Sequence, residues 1–331
     1  MKKLFLLILV WTVFCAYHAT AQEKPSFRLR TVDSETIALD DGDLPVWEYV
    51  WRQKTNEAVP ADDPRRVCAS YFHPIFGLDG ETLTANATLD DNHAHHHGLW
   101  SSFTTVVLHT SDGTDALYDT WTDNTALKKD FIRWGGKGNG AENRLEITGD
   151  SAVMTVENGW FLDGGEKIMD ETLVVTTGPI QTDETLGRYR TLDFSWTWRP
   201  VRDAVTLAGD RAAGKNFSSL AIRFARPTEK PLILSDSGEL ADDIMLGETK
   251  WLDYRAAFGE AKKEYGVAIF PSANNPPGGE FGMAIRHYGL IATGWPGLEG
   301  VTLTVDTPVT LAYRVVIHEQ PWTVEQLRAF E

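Results

Sequence analysis

Apolar and β-branched residues recur along this chain in short runs, and turn chemistry separates nearly all of them. Runs with strand character cover Ser101 to Leu108, Ala152 to Glu157, Leu173 to Thr177, Asp193 to Trp198, Leu220 to Phe224, Gly266 to Phe270, Val301 to Val305 and Val309 to Ile317. Asp79-Gly80, Asp112-Gly113, the glycine-rich stretch from Gly135 to Gly140, Asp163-Gly164-Gly165 and Asn274-Asn275-Pro276-Pro277-Gly278-Gly279 are hairpin or loop signals. No long amphipathic helical pattern competes with the strands except at the end of the chain. There Thr323 and Gln326 fit a capping box ahead of Leu327 and Phe330. Many strands without a regular repeat predict a mainly all-β protein, a large antiparallel β-sandwich closed by a short C-terminal helix.

The first residues follow a different pattern. Lys2 and Lys3 precede an apolar run from Leu4 to Tyr17, and Ala19-Thr20-Ala21 supplies small residues before Gln22. That is the layout of a signal peptide over residues 1–21, and the run is too short to span a bilayer. The expectation is an exported protein, periplasmic or extracellular, with residues 22–331 forming one domain and no integral membrane association. Its oligomeric state is not legible. Removing residues 1–21 discards Cys15 and leaves Cys68 as the only thiol, so core burial rather than a disulfide must supply stability. Removing Lys2 and Lys3 also takes the formal charge from −16 to −18. Such a balance argues against nucleic acid as a partner, because phosphate backbones need cationic patches.

The densest potential chemistry lies in Asn92-His93-Ala94-His95-His96-His97-Gly98, which holds four of the nine histidines. Imidazoles exchange protons near neutral pH and ligate metals. A solvated polar loop would use the same residues. In an extended strand His93, His95 and His97 project to one face and His96 to the other, unless a turn regroups them. No glutamate completes a His-Glu-x-x-His frame, so zinc is not assigned, and a divalent metal is left open. Asp90 and Asp91 stand close enough in sequence to orient imidazoles. His73, in Tyr71-Phe72-His73-Pro74, can bring another imidazole to the same rim or serve the structure alone. Trp196 and Trp198 share one face of a strand and suit either sugar stacking or the core.

Tyr71-Phe72-His73-Pro74, the histidine run ending in Gly98, Lys250-Trp251-Leu252-Asp253-Tyr254, Gly266-Val267-Ala268-Ile269-Phe270, Arg286-His287-Tyr288-Gly289 and Tyr313-Arg314-Val315-Val316-Ile317-His318 occur in this order over nearly the whole chain. Together they resemble the PmoA-like family of exported bacterial proteins. That resemblance implies a polysaccharide-associated domain similar to the β-sandwich of galactose mutarotases and related lyases. It also implies a histidine cluster reading His-Pro-His-His-Arg-Gly, from which this chain departs at Ala94 and His97. On that pattern His93, His95 and His96 are the catalytic candidates, and His97 is a substrate-binding one.

Further candidates surround these words. Glu171 precedes a strand and can act as a carboxylate base or a metal ligand. Arg223 lies between apolar residues, so it needs a partner, such as Asp193 or Glu171, or a cleft. Trp251 and Asp253 form an aromatic and carboxylate unit suited to sugar binding or to a packed hairpin. Arg286 and Tyr288 share a strand face while His287 points away, which suits neutralising a uronate and moving a proton. The set points to a poly- or oligosaccharide substrate and to a glycan lyase or glycoside hydrolase. A non-catalytic glycan-binding module and a metal-dependent oxidoreductase are the alternatives.

Overall fold

The strand Gly187–Pro200 alternates half-buried and buried residues along nearly its whole length, and this alternation organises the layers. Leu192, Phe194, Trp196 and Trp198 point inward and are fully buried. Trp196 and Trp198 are therefore core residues rather than a sugar platform. On the other face Asp193 binds Arg314 through two hydrogen bonds of 2.7 and 2.9 Å, and Thr197 pairs with Thr310 at 2.8 Å. Burying a side chain such as Leu192 or Phe194 contributes roughly 1.5–3 kcal/mol, so the inward face drives the packing. The polar pairs contribute little on a surface.

The computed structural model describes residues 27–88, 93–121, 132–133, 144–148, 150–162, 165–277 and 282–331. Residues 1–21, expected to be a signal peptide, Asp90, Asp91, the glycine-rich residues 135–140, Asp163-Gly164 and Gly278-Gly279 lie outside these residues. Two large antiparallel sheets stack on each other. One has nine strands, with Leu99–Ser102, Ser219–Arg223, Leu290–Ala292 and Met283–Arg286 adjacent in that order. The other has eleven, with Ser151–Phe161, Lys167–Thr177, Gly187–Pro200, Val309–His318 and Lys263–Pro271 running side by side. Phe72 of the first sheet meets Phe194 of the second edge-on at 5.3 Å. Across the same interface the Trp47 indole donates to Thr177 Oγ1 at 3.0 Å. The fold is thus a large antiparallel β-sandwich, as the hydrophobic pattern predicts.

A smaller sheet holds Asp115–Tyr118, Thr105–His109, Ala204–Ala208 and Val301–Leu303. Its presence divides the single strand expected from Ser101 to Leu108 into two, Leu99–Ser102 and Thr105–His109, in different sheets. The crossover is held by the Thr120 hydroxyl, which accepts the Phe103 amide at 2.7 Å. An apolar run cannot reveal a change of sheet, because both sheets bury one of its faces.

The C-terminal helix Val324–Arg328 carries the expected capping box between Thr323 and Gln326. Its Leu327, with Trp322, covers the outer face of the second sheet over Trp251, Ala268, Phe270 and Val316. Among the described residues no helix is long and apolar enough to cross a membrane.

Candidate functional site

The strand His93–His97 belongs to neither large sheet and pairs only with Asn86–Thr88. Asn86 is opposite His97 and Thr88 opposite His93, so three residues face five and the ladder is bulged. The two surplus residues break the period-two alternation. His93, His95 and His96 consequently gather, instead of His93, His95 and His97 sharing a face. The His93 and His96 rings stack at 4.4 Å with 14° between planes, and His95 meets His96 edge-on at 4.4 Å.

Gly98 ends the run with φ of +65°, a left-handed conformation that only glycine adopts without strain. A Cβ there would lie 2.1 Å from the Phe72 carbonyl oxygen. The Gly98 carbonyl accepts the Arg223 amide at 2.6 Å, which ties the histidine strand to Ser219–Arg223. That strand pairs in turn with Leu290–Ala292, the far side of a hairpin whose turn begins at Arg286. One strand therefore brings the histidines and the Arg286 to Gly289 turn together.

They enclose a cleft of about 510 Å³. His93, His95, His96, Arg286 and Tyr288 line it, with Trp121, Phe217, Lys215 and Asp210. Tyr288 stacks on His93 at 5.0 Å, and Trp121 stacks on Phe217 at 5.2 Å. His96 is 1% exposed, and its Nδ1 has no hydrogen-bond partner among the described residues. Burial, reinforced by His95, His93 and Arg223, holds its proton affinity well below that of an ordinary histidine. The trio therefore keeps a neutral member at physiological pH. Asp63, held below the usual carboxylate range chiefly by its hydrogen bond from Arg65, also feels the charge of His95.

On the far side of the stacked His93 and Tyr288 lies a second cleft of about 360 Å³. Arg223, only 2% exposed, places its guanidinium 4.6 Å over the Tyr288 ring and lines this cleft. It is bonded to neither of the partners expected for it, since Asp193 is taken by Arg314, and Glu171 by two indoles and an amide. His287 lines the same cleft, its Nδ1 2.8 Å from Asp243 Oδ1 and its Nε2 3.0 Å from the Leu240 carbonyl oxygen. Burial raises the Asp243 carboxyl, but the His287 amide and ring and Arg286 outweigh it and hold the group low. Arg286 and Tyr288 meet through a turn rather than a shared strand face, because the strand stops at Arg286.

Five expected site residues lie elsewhere. Glu171 is buried within the sandwich, where Trp160 and Trp198 donate to one oxygen at 3.0 and 2.8 Å and Asn158 to the other at 2.7 Å. Burial raises its pKa, and these donors oppose the rise. Asp253 is fully buried between Arg255, at 2.6 Å, and His318, at 3.1 Å, while Trp251 packs under the C-terminal helix. Both belong to the packed hairpin. His97 turns away from the other imidazoles, with Nδ1 2.8 Å from Asn86 Oδ1 and its ring against Tyr71. His73 lines neither cleft, and its Nδ1 is 3.0 Å from Thr84 Oγ1.

Trp121, Phe217 and Lys215 were not legible in the sequence as site residues, because all three sit in non-repeating segments with no periodicity to place them. Among the described residues no group of three or more His, Cys, Asp or Glu side chains is arranged to hold a metal ion. The face-to-face His93 and His96 rings explain part of this, since imidazoles bind a metal in the ring plane and parallel planes do not converge.

A family of unknown function (DUF6807) matches residues 36–330. This overturns the resemblance to the PmoA-like family. The words that suggested it include the core strand segments Gly266 to Phe270 and Tyr313 to His318, whose apolar pattern any sandwich core requires. No curated protein matches. Among solved structures, the Slr1438 protein from Synechocystis sp. PCC 6803 is similar at 9% identity, covering 90% of this chain and 97% of that one, with a TM-score of 0.32. HI1317 is similar at 8% identity, covering 88% and 99%, with a TM-score of 0.24.

Proposed function

Because the chain belongs to DUF6807, a family of unknown function, its activity has to be read from the cleft, and we propose an exported carbohydrate-active enzyme that cleaves an acidic glycan by β-elimination. The observation that carries this reading is the convergence of His93, His95 and His96 with Tyr288 and Arg286 around one cleft. Hydrolysis by the common route needs two carboxyl groups flanking the bond, and Asp210 is the one carboxylate among the described residues lining it.

In β-elimination a base removes the proton on the carbon beside the uronate carboxylate. Its electron pair becomes a carbon–carbon double bond as the bond from the ring to the glycosidic oxygen breaks, and that oxygen takes a proton. No water is consumed. Arg286 neutralises the carboxylate and so stabilises the enolate that develops. His95 or His93 serves as base, Tyr288 supplies the proton to the departing oxygen, and neutral His96 positions both imidazoles.

A screen of uronate-containing and neutral glycans tests the proposal. Ultraviolet absorbance from an unsaturated product supports elimination. New reducing ends without that absorbance establish hydrolysis and overturn it.

A second reading, a non-catalytic glycan-binding module, is favoured by the aromatic wall of Trp121 stacked on Phe217. Binding without turnover, abolished by Trp121→Ala and indifferent to His95→Ala, would establish it. The metal-dependent oxidoreductase reading rested on the overturned family label and loses that support.

A further inference from the structure

Tyr288 stands on the ridge between the two clefts but outside the strand ladder that carries it. Met283–Arg286 pairs with Leu290–Ala292 as far as Arg286 opposite Leu290, which leaves His287, Tyr288 and Gly289 as the turn. The plane of the Tyr288 ring is set by side chains, with the His93 ring at 5.0 Å and the Arg223 guanidinium at 4.6 Å. Where its hydroxyl falls depends on the backbone of the turn. The far end of that backbone is tied by the Phe224 amide, which donates to the Gly289 carbonyl at 2.8 Å. The near end is tied by Asp243, whose Oδ1 accepts the His287 amide at 2.8 Å. The His287 ring repeats the contact, its Nδ1 2.8 Å from the same oxygen, and its Nε2 is 3.0 Å from the Leu240 carbonyl oxygen. A carboxylate and a carbonyl can only accept, so the doubly protonated ring is the form that makes both contacts.

Asp243 reaches the turn because it directly precedes Ile244–Gly247, the edge strand of the nine-stranded sheet, which pairs with Met283–Arg286. Ile244 lies opposite Ile285, so one further step along the antiparallel register sets Asp243 beside Arg286. Its Oδ2 forms an ion pair with Arg286 Nη1 at 3.8 Å, longer than a charge-assisted hydrogen bond. Arg286 Nη2 meets the Met245 sulfur on the same edge strand. The short contacts of Asp243 therefore go to His287. We propose that Asp243 is a positioning residue: acting through His287, it holds the turn so that the Tyr288 hydroxyl is presented where the departing glycosidic oxygen takes its proton. This inference rests on the proposed elimination and adds the group that aligns its acid. It also accounts for His287, which lines the second cleft yet has both ring nitrogens committed to the clamp rather than to proton transfer. A misplacement of about 1 Å is worth on the order of 10²-fold in rate, so a carboxylate remote from the reacting atoms can govern turnover.

The experiment is a double-mutant cycle on the whole chain, read by ultraviolet assay on uronate oligosaccharides, with circular dichroism giving the folded fraction of each variant. Asp243→Ala is expected to lower kcat by about ten-fold or more. Asp243→Asn keeps an acceptor oxygen for the His287 amide and is expected to regain most of that loss. In a Tyr288→Phe background no hydroxyl is left to align, so Asp243→Ala is expected to cost less than about three-fold there. A variant that merely unfolds loses the same factor in both backgrounds. His287→Ala cuts the same link from the other side and is expected to show the same pattern, so the test stands even where Asp243→Ala folds poorly. Equal losses in the two backgrounds, or no loss in either single variant, would overturn the positioning role and leave the elimination standing. Absence of wild-type turnover on every uronate would overturn the elimination itself, and the positioning role with it.

Discussion

The guanidinium of Arg223 sits 4.6 Å above the Tyr288 ring. A cation over an aromatic face is attracted by the ring quadrupole and so holds the ring in place. Tyr288→Phe keeps the ring and removes only the hydroxyl. Turnover should then fall about 10²–10⁴-fold, the range for losing an acid–base group, while glycan affinity changes little. A parallel loss of affinity in calorimetry would show that the hydroxyl binds rather than transfers a proton.

His95 and His96 should separate by stability as well as by rate. His95 is half-buried at the cleft and His96 is buried beneath it. We expect His95→Ala to abolish turnover with a small change in melting temperature. His96→Ala should abolish turnover and also destabilise by about 1–3 kcal/mol, through the cavity left in a packed site. Full turnover in both variants would remove the cluster from catalysis.

His73 makes acid stability predictable. Burial pushes its pKa down to about 4, below the value of about 6.5 expected for an unfolded chain. Between those values the unfolded state binds the extra proton, so stability is retained above pH 6.5 and lost as pH falls toward 4. The loss amounts to roughly 3–4 kcal/mol, since each tenfold change in proton affinity is worth about 1.4 kcal/mol. His73→Gln cannot titrate, so its stability should fall less over that window in denaturant titrations. Identical pH profiles would refute the assignment.

Glu171 should behave as a structural carboxylate. Both indoles donate to one oxygen and Asn158 to the other, so Glu171→Gln leaves at least one donor facing an amide NH₂. A cost of about 1–3 kcal/mol is expected in chemical denaturation, with turnover per folded molecule unchanged. Loss of turnover in the folded variant would return Glu171 to the site.

Gly98 and Gly113 form an internal comparison. Both have positive φ, but a Cβ at Gly113 meets nothing within 4 Å, whereas at Gly98 it strikes the Phe72 backbone. Gly113→Ala should cost only the left-handed strain, about 1–2 kcal/mol. Gly98→Ala should cost distinctly more and displace the histidine strand, measured as the difference between the two denaturation midpoints.

The sandwich was legible because its strands bury one face, and an alternation such as that ending in Phe194, Trp196 and Trp198 survives any arrangement of neighbours. His93, His95, His96, Arg286 and Tyr288 were legible as chemistry, but their grouping was not. A bulge that sets five residues against three overrides period-two reasoning, and it depends on Asn86 to Thr88, a segment with no signal of its own. Glu171, Trp251 and Asp253 misled for the opposite reason. A buried carboxylate satisfied by indoles, or by Arg255 and His318, reads in sequence just as a catalytic one does, because what distinguishes them is the partner. Trp121, Phe217 and Lys215 come from loops, where hydrophobic periodicity has nothing to report.

The wall between the clefts joins parts of the chain 195 positions apart, His93 and Tyr288, through the strand Ser219–Arg223. Hairpins such as Ser151–Phe161 with Lys167–Thr177 close short loops, whereas this wall requires two long closures. Long-range pairings form slowly, so the wall should be among the last parts of the molecule built, and activity should return after most of the strand signal on refolding. A nascent chain that has not yet reached Arg286 already holds every imidazole of the run and has only one side of the ridge they serve.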